Sequence, residues 1–188
     1  MRRPLLLVAA LVLMLFSGTA NANATTSSGT FHWEAGAADV CGVEPTACPD
    51  VAMASNGDTL TLRAQGDMNA ATGAASGGGT FEHRNSAGAL LATGTVTATR
   101  LMDFSFYGCG GDGLPDFLCG GRAAFAVHIV AHPASDPSAT IELDGILQVT
   151  CVLGSPPSGA DEGFRLNVKD VINFNKSVGG DTVFIQTS

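Results

Sequence analysis

The stretch Ala92-Thr-Gly-Thr-Val-Thr-Ala-Thr-Arg-Leu-Met-Asp-Phe-Ser-Phe-Tyr107 decides the fold class. Its even positions carry Ala92, Gly94, Val96, Ala98, Met102, Phe104 and Phe106, while Thr93, Thr95, Thr97 and Thr99 form the opposite face. Apolar residues alternating with β-branched threonines mark a strand with one face in a core and one in water. Arg100 interrupts the alternation, which predicts a bulge or a strand end beside it.

The same period recurs on both sides. Upstream, Leu60, Leu62 and Ala64 alternate with Thr59, Thr61 and Arg63, and Thr80 to Arg84 resumes the pattern after a Gly/Ala-rich loop expected over 66–79. Downstream, Ala123, Phe125, Val127, Ile129 and Ala131 alternate with Arg122, Ala124, Ala126, His128 and Val130. Ile141, Leu143, Leu147, Val149, Cys151 and Leu153 then oppose Thr140, Glu142, Asp144, Gln148 and Thr150. Phe164, Leu166 and Val168 form a further inward set, and residues 182–187 close the chain. About seven or eight strands with Gly, Pro, Asn and Asp turns predict an all-β antiparallel sandwich, with a closed barrel as the alternative. Residues 40–49 read as an irregular segment. Residues 161–173 have room for one helical turn.

The N-terminus carries a different signal. Arg2 and Arg3 precede an apolar run from Leu5 to Phe16, and Ala-Asn-Ala steps end at Ala22 and Ala24. A basic start, a short apolar stretch and small residues at a cleavage site constitute a secretory signal. The run is shorter than the about 20 residues a membrane-spanning helix requires. Residues 1–24 are therefore expected to be a removed signal, and residues 25–188 a single soluble domain found in the periplasm or outside the cell. Losing Arg2 and Arg3 takes the formal charge from −8 to −10. So acidic a surface argues against nucleic acid and anionic membrane as partners.

All five cysteines follow the signal. In an oxidising compartment they are expected to pair, leaving one over. Short loops favour Cys41 with Cys48 and Cys109 with Cys119, each contributing about 2.5–3 kcal/mol on chain-entropy grounds. Cys151 then remains a buried thiol on an apolar strand face. Its pairing with a loop cysteine is the competing arrangement.

Gly77-Gly78-Gly79-Thr80-Phe81-Glu82-His83, Tyr107-Gly108-Cys109-Gly110, Cys119-Gly120-Gly121-Arg122, Glu162-Gly163 with Leu166-Asn167-Val168, and Asn173-Phe174-Asn175-Lys176 form a set that is specific in combination. On these motifs the chain resembles a group of uncharacterised exported bacterial proteins. The resemblance implies a secreted bacterial β-domain and assigns no activity.

Residues that could carry chemistry are few. His128 and His132 share a strand face but stand about 13 Å apart at roughly 3.3 Å per residue. Zinc donors lie about 2 Å from one ion, so this pair does not chelate unless Pro133 bends the strand end. His32 and His83 are remote in sequence. Ser76 lacks the Gly-x-Ser-x-Gly setting of a nucleophile elbow. Glu142 and Asp144 share a face as a solvated carboxylate pair. Gly110-Gly111-Asp112-Gly113 with Asp116 lacks the oxygen-ligand spacing of an EF-hand.

We therefore expect no catalytic set, metal or cofactor, and a recognition or structural role with an unidentified extracellular or envelope partner. A secreted hydrolase assembled only in three dimensions is the alternative. The expected binding segment is 108–121, with Asp112, Asp116 and Phe117 as its contacts. The competing role for Phe117, Leu114 and Leu118 is to cap the core. N-terminal sequencing of the exported product should begin at Asn23 or Thr25, and a product still starting at Met1 would contradict the signal assignment.

Overall fold

The computed structural model describes residues 28–111 and 113–188, so the expected signal over 1–24 and Asp112 lie outside the described residues. The chain forms strands β1 (Thr30–Ala35), β2 (Asp50–Ala54), β3 (Thr59–Asn69), β4 (Ala74–Ala75), β5 (Gly78–Arg84) and β6 (Leu90–Gly111). It continues with β7 (Leu114–Pro133), β8 (Ile141–Cys151), β9 (Gly163–Val168), β10 (Ile172–Gly179) and β11 (Thr182–Gln186). These belong to one 11-stranded sheet, so the class is as expected and the strand count higher. All of its pairings are antiparallel.

The segment between β1 and β2 departs from the expectation. It holds a helix, α1 (Ala38–Val43), and a 3-10 turn (Pro45–Ala47). Six residues are too few to display a helical period, and the Cys41–Cys48 disulfide ties α1 to the chain entering β2. Residues 161–173 instead supply β9, a turn and the start of β10. Most of the expected 66–79 loop is also strand. β3 runs on to Asn69, and β4 and β5 pair back against it.

Two long strands, β6 and β7, pair from Ala92↔Pro133 to Gly111↔Leu114. The remaining edge of β7 is divided. Residues 121–131 pair with β8, while Leu118 and Cys119 pair with β11. β3 is divided likewise between β2, at 59–62, and β1, at 64–69.

The ladder therefore runs β3–β5–β6–β7–β8–β9–β10–β2 and returns to β3, with β1 and β11 completing a second circuit at one end. Continuous pairing removes the free edges that invite aggregation. Contacts across the interior show two layers face to face. The His83 ring of β5 meets Phe174 of β10 edge-on at 5.1 Å, although these strands are not ladder neighbours.

The expected inward faces of β3, β7 and β9 are buried, including Leu60, Leu62, Phe125, Val127, Ile129, Phe164 and Leu166. β6 differs in one respect. Its register shifts between Ala98 and Arg100 and again between Leu101 and Asp103. Each shift inserts one residue and inverts the alternation, so Leu101 is buried and Met102, expected inward, is 48% exposed. The second shift restores the parity and returns Phe104 to the core.

Phe104 packs on Phe31 at 5.1 Å and Phe184 at 5.3 Å, and Trp33 lies 4.9 Å from Phe125. Such aromatic pairs contribute about 0.5–1.5 kcal/mol beyond their burial. They fasten β1 and β11 over the end of the sheet from which β6 and β7 project.

Glycines admit the closest approaches. A Cβ on Gly120 would lie 1.9 Å from the Leu153 carbonyl oxygen, so only glycine lets the chain leaving β8 cross β7 there. At Gly94 the vacant side-chain position is filled by the Phe81 ring, 2.7 Å from where a Cβ would stand. Gly94→Ala should lower stability by about 1–3 kcal/mol through overpacking. Gly42→Ala, on α1 with open space around it, should be neutral or slightly stabilising. Thermal melts that ranked the two variants the other way would contradict this packing.

Candidate functional site

The 108–121 segment is not a loop. β6 and β7 extend through it as a paired ribbon whose last partners are Gly111 and Leu114, with Gly108↔Gly120 and Cys109↔Cys119 in register. Gly110, Gly111 and Gly113 all take positive φ. A run this rich in glycine has few side chains with which to show a strand period, which is why its sequence reads as a turn.

The Cys109–Cys119 disulfide joins directly opposite residues. Near the tip, Leu114 is 40% and Phe117 53% exposed. Phe117 therefore does not cap the core. That role falls to Phe104, Phe106 and Cys119 at the ribbon base. Asp116 lies across the ribbon against Gly110. Asp112, the other expected contact, is outside the described residues.

The histidines stand apart from one another. His128 lies between Glu142 and Asp144, at 3.8 and 3.6 Å, on an exposed face, because His128↔Asp144 and Val130↔Glu142 are paired positions. His32 Nδ1 is 2.9 Å from Asp67, and His83 Nε2 is 3.2 Å from Asp58. The His132 ring reaches the Ala139 carbonyl oxygen at 3.0 Å. Among the described residues no serine hydroxyl bonds to a histidine, and no three metal-binding side chains converge.

One cluster escapes the sequence reading. Asp50, at the start of β2, is fully buried, and among the described residues neither carboxylate oxygen has a partner at full hydrogen-bond geometry, the Val51 and Phe164 N–H groups being the nearest donors that act on it. Gly163, at φ 102°, would place a Cβ 2.2 Å from Ser177 Oγ and 3.1 Å from Asp50 Oδ1, so glycine is what lets β9 pass between them. Glu162 beside it accepts from the backbone N–H of Val152 at 2.7 Å and of Thr182 at 2.9 Å. The Thr182 hydroxyl is 2.7 Å from both Glu162 Oε1 and the Thr150 carbonyl oxygen.

Burial, with Glu162 and Asp181 adding repulsion, raises Asp50 to about 8 against the opposing pull of the Val51 and Phe164 backbone N–H groups. Burial also raises Glu162, against its three hydrogen bonds. Cys151 is the free buried thiol, and burial first and the Glu162 charge second push it up to about 12. A thiol so placed is protonated and unreactive at neutral pH. No sequence period marks this cluster, since its members arrive from separate turns and strand ends. The Glu162-Gly163 pair is its one trace.

Fold and site together define a disulfide-stapled, all-β domain with a projecting ribbon. Two disulfides point to an oxidising extracellular or periplasmic compartment. No helix among the described residues is long and apolar enough to cross a membrane. Comparisons with protein families, curated proteins and solved structures match nothing.

Asp50 gives a test of the buried cluster. Its folded pKa lies above the unfolded value of about 3.9, so the folded state keeps a proton that the unfolded state has released. This contribution to stability is fully present below about pH 4. It is lost as pH rises towards the folded value of about 8. Asp50→Asn should flatten the decline in melting temperature across that window, and an unchanged pH profile would contradict the burial of the carboxyl group.

Proposed function

We propose that this protein is an exported, non-enzymatic recognition domain of the bacterial envelope or extracellular space, and that the β6–β7 tip engages a protein partner. The observation that carries the reading is the exposure of Leu114 and Phe117 at the end of a disulfide-clamped ribbon. Aromatic side chains on a rigid support bind with little loss of rotamer freedom. Exposed apolar groups grouped at a projecting tip are characteristic of interaction sites. Asp116 and the overall negative charge favour a partner whose apolar pocket has a basic rim. The N-terminal signal and the two disulfides support the location.

The readouts separate recognition from core capping. Phe117→Ala and Leu114→Ser should weaken binding of the labelled protein to the producing cell's envelope fraction by at least about tenfold, and protease treatment of that fraction should abolish binding. Melting temperatures should shift by no more than about 2 °C, since exposed substitutions stay within about 0.5 kcal/mol. A marked loss of thermal stability with binding unchanged would overturn the proposal.

A further inference from the structure

A second site lies on the outer faces of β3, β5 and β6, away from the tip. A groove of about 550 Å³ is bounded there by Thr61, Arg63, Thr80, Glu82, Thr93 and Thr95, with Pro49 at its margin. Strand register lays these side chains out as two cross-strand rows. Arg63, Thr80 and Thr95 form one, and Thr61, Glu82 and Thr93 the other. Neighbours within a row stand about 5 Å apart and the rows about 7 Å apart, a grid on the scale of a sugar ring. Among the described residues none of the four threonine hydroxyls bonds to another protein group, which leaves each able to donate and to accept.

Arg63 distinguishes this grid from an ordinary solvated strand face. The chain has 17 acidic residues and 9 basic ones, yet among the described residues Arg63 has no carboxylate partner. Its Nη1 is directed to the Gly36 carbonyl oxygen at 3.5 Å and to Cys41 Sγ at 3.6 Å. Nε and Nη2 have no acceptor among the described residues. The guanidinium is thus steadied from behind by the disulfide-bound segment and presents an open donor pair. That pair matches a carboxylate in a two-point contact. Glu82 does not oppose an incoming anion with a full unpaired charge, because Arg84 holds it through Nη2 at 2.8 Å and Nε at 3.3 Å. Its oxygens remain acceptors for hydroxyl groups.

We propose that this groove binds an acidic saccharide, with a uronate-type carboxylate on Arg63 and ring hydroxyls on Thr80, Thr95, Thr93 and Glu82. The site is independent of the tip. Calorimetry with a hexamer of galacturonic acid and, separately, with neutral maltohexaose tests it. The expected result is binding of the acidic hexamer, weakened as salt increases, with the neutral hexamer bound at least tenfold more weakly.

Arg63→Gln should remove that preference, and Thr80→Val with Thr95→Val should weaken the acidic hexamer at unchanged selectivity. Phe117→Ala should leave its binding intact, which separates this site from the tip. Unfolded variants are recognised by their circular dichroism, and Arg63→Lys, which keeps the charge and loses the fork, then serves in place of Arg63→Gln and should weaken binding several-fold. No binding of either hexamer, equal binding of both, a preference that survives Arg63→Gln, or acidic-hexamer binding left unweakened by Arg63→Lys would overturn the proposal.

Discussion

The antiparallel ladder between β6 and β7 is the constraint on which the rest of the molecule depends. It runs almost the whole length of two strands of 22 and 20 residues, and β7 then offers its other edge to β8 over one part and β11 over another. A strand has only two edges. Dividing one of them between two partners lets a single sheet turn both an eight-strand circuit and a smaller end circuit. The Gly120–Gly121 pair lies where that division occurs: at Gly120 the chain departing after β8 passes within contact distance of the β7 backbone, and at Gly121 the Phe104 ring of β6 takes the side-chain space.

The ladder also explains why the ribbon projects. Beyond Leu118 the β11 pairing ends, so the last residues of β6 and β7 have only each other for backbone hydrogen bonding. An isolated two-stranded ribbon is marginal in water. Here it is held by the Cys109–Cys119 disulfide across the pair and by the aromatic cluster of Phe31, Phe104, Phe106 and Phe184 at its base. The core thereby supplies the anchorage and leaves Phe117 outside it.

At the opposite extreme of environment, Asp50, Glu162 and Cys151 show what strand ends can enclose. Glu162 meets unpaired amides at the end of β8 and the start of β11, so its burial is offset by hydrogen bonds that the backbone would otherwise lack. Asp50 is compensated far less: the Val51 and Phe164 backbone N–H groups face its carboxylate without full hydrogen-bond geometry, and burial outweighs them, which is why its pKa is raised. The same closure shields the Cys151 thiol from the disulfide chemistry open to the other four cysteines.

The alternation of Leu60 to Ala64, of Ala123 to Ala131 and of Phe164 to Val168 was enough to determine an all-β protein and the buried face of those strands, because period two is a local property of a pleated chain. Cysteine spacing likewise indicated both disulfides, since seven and ten residues make closable loops. Phe117 and Asp116 were legible as exposed candidates, but the ribbon that carries them was not, because glycine leaves no side-chain pattern. Tertiary structure alone decided the double shift in β6 that turns Met102 outward, the sharing of β3 and β7 edges, the burial of Asp50 against Gly163, and the alignment of Arg63 with Thr80 and Thr95. Each is a matter of which distant backbones come into register, and that depends on packing the two layers together rather than on any one segment's preference.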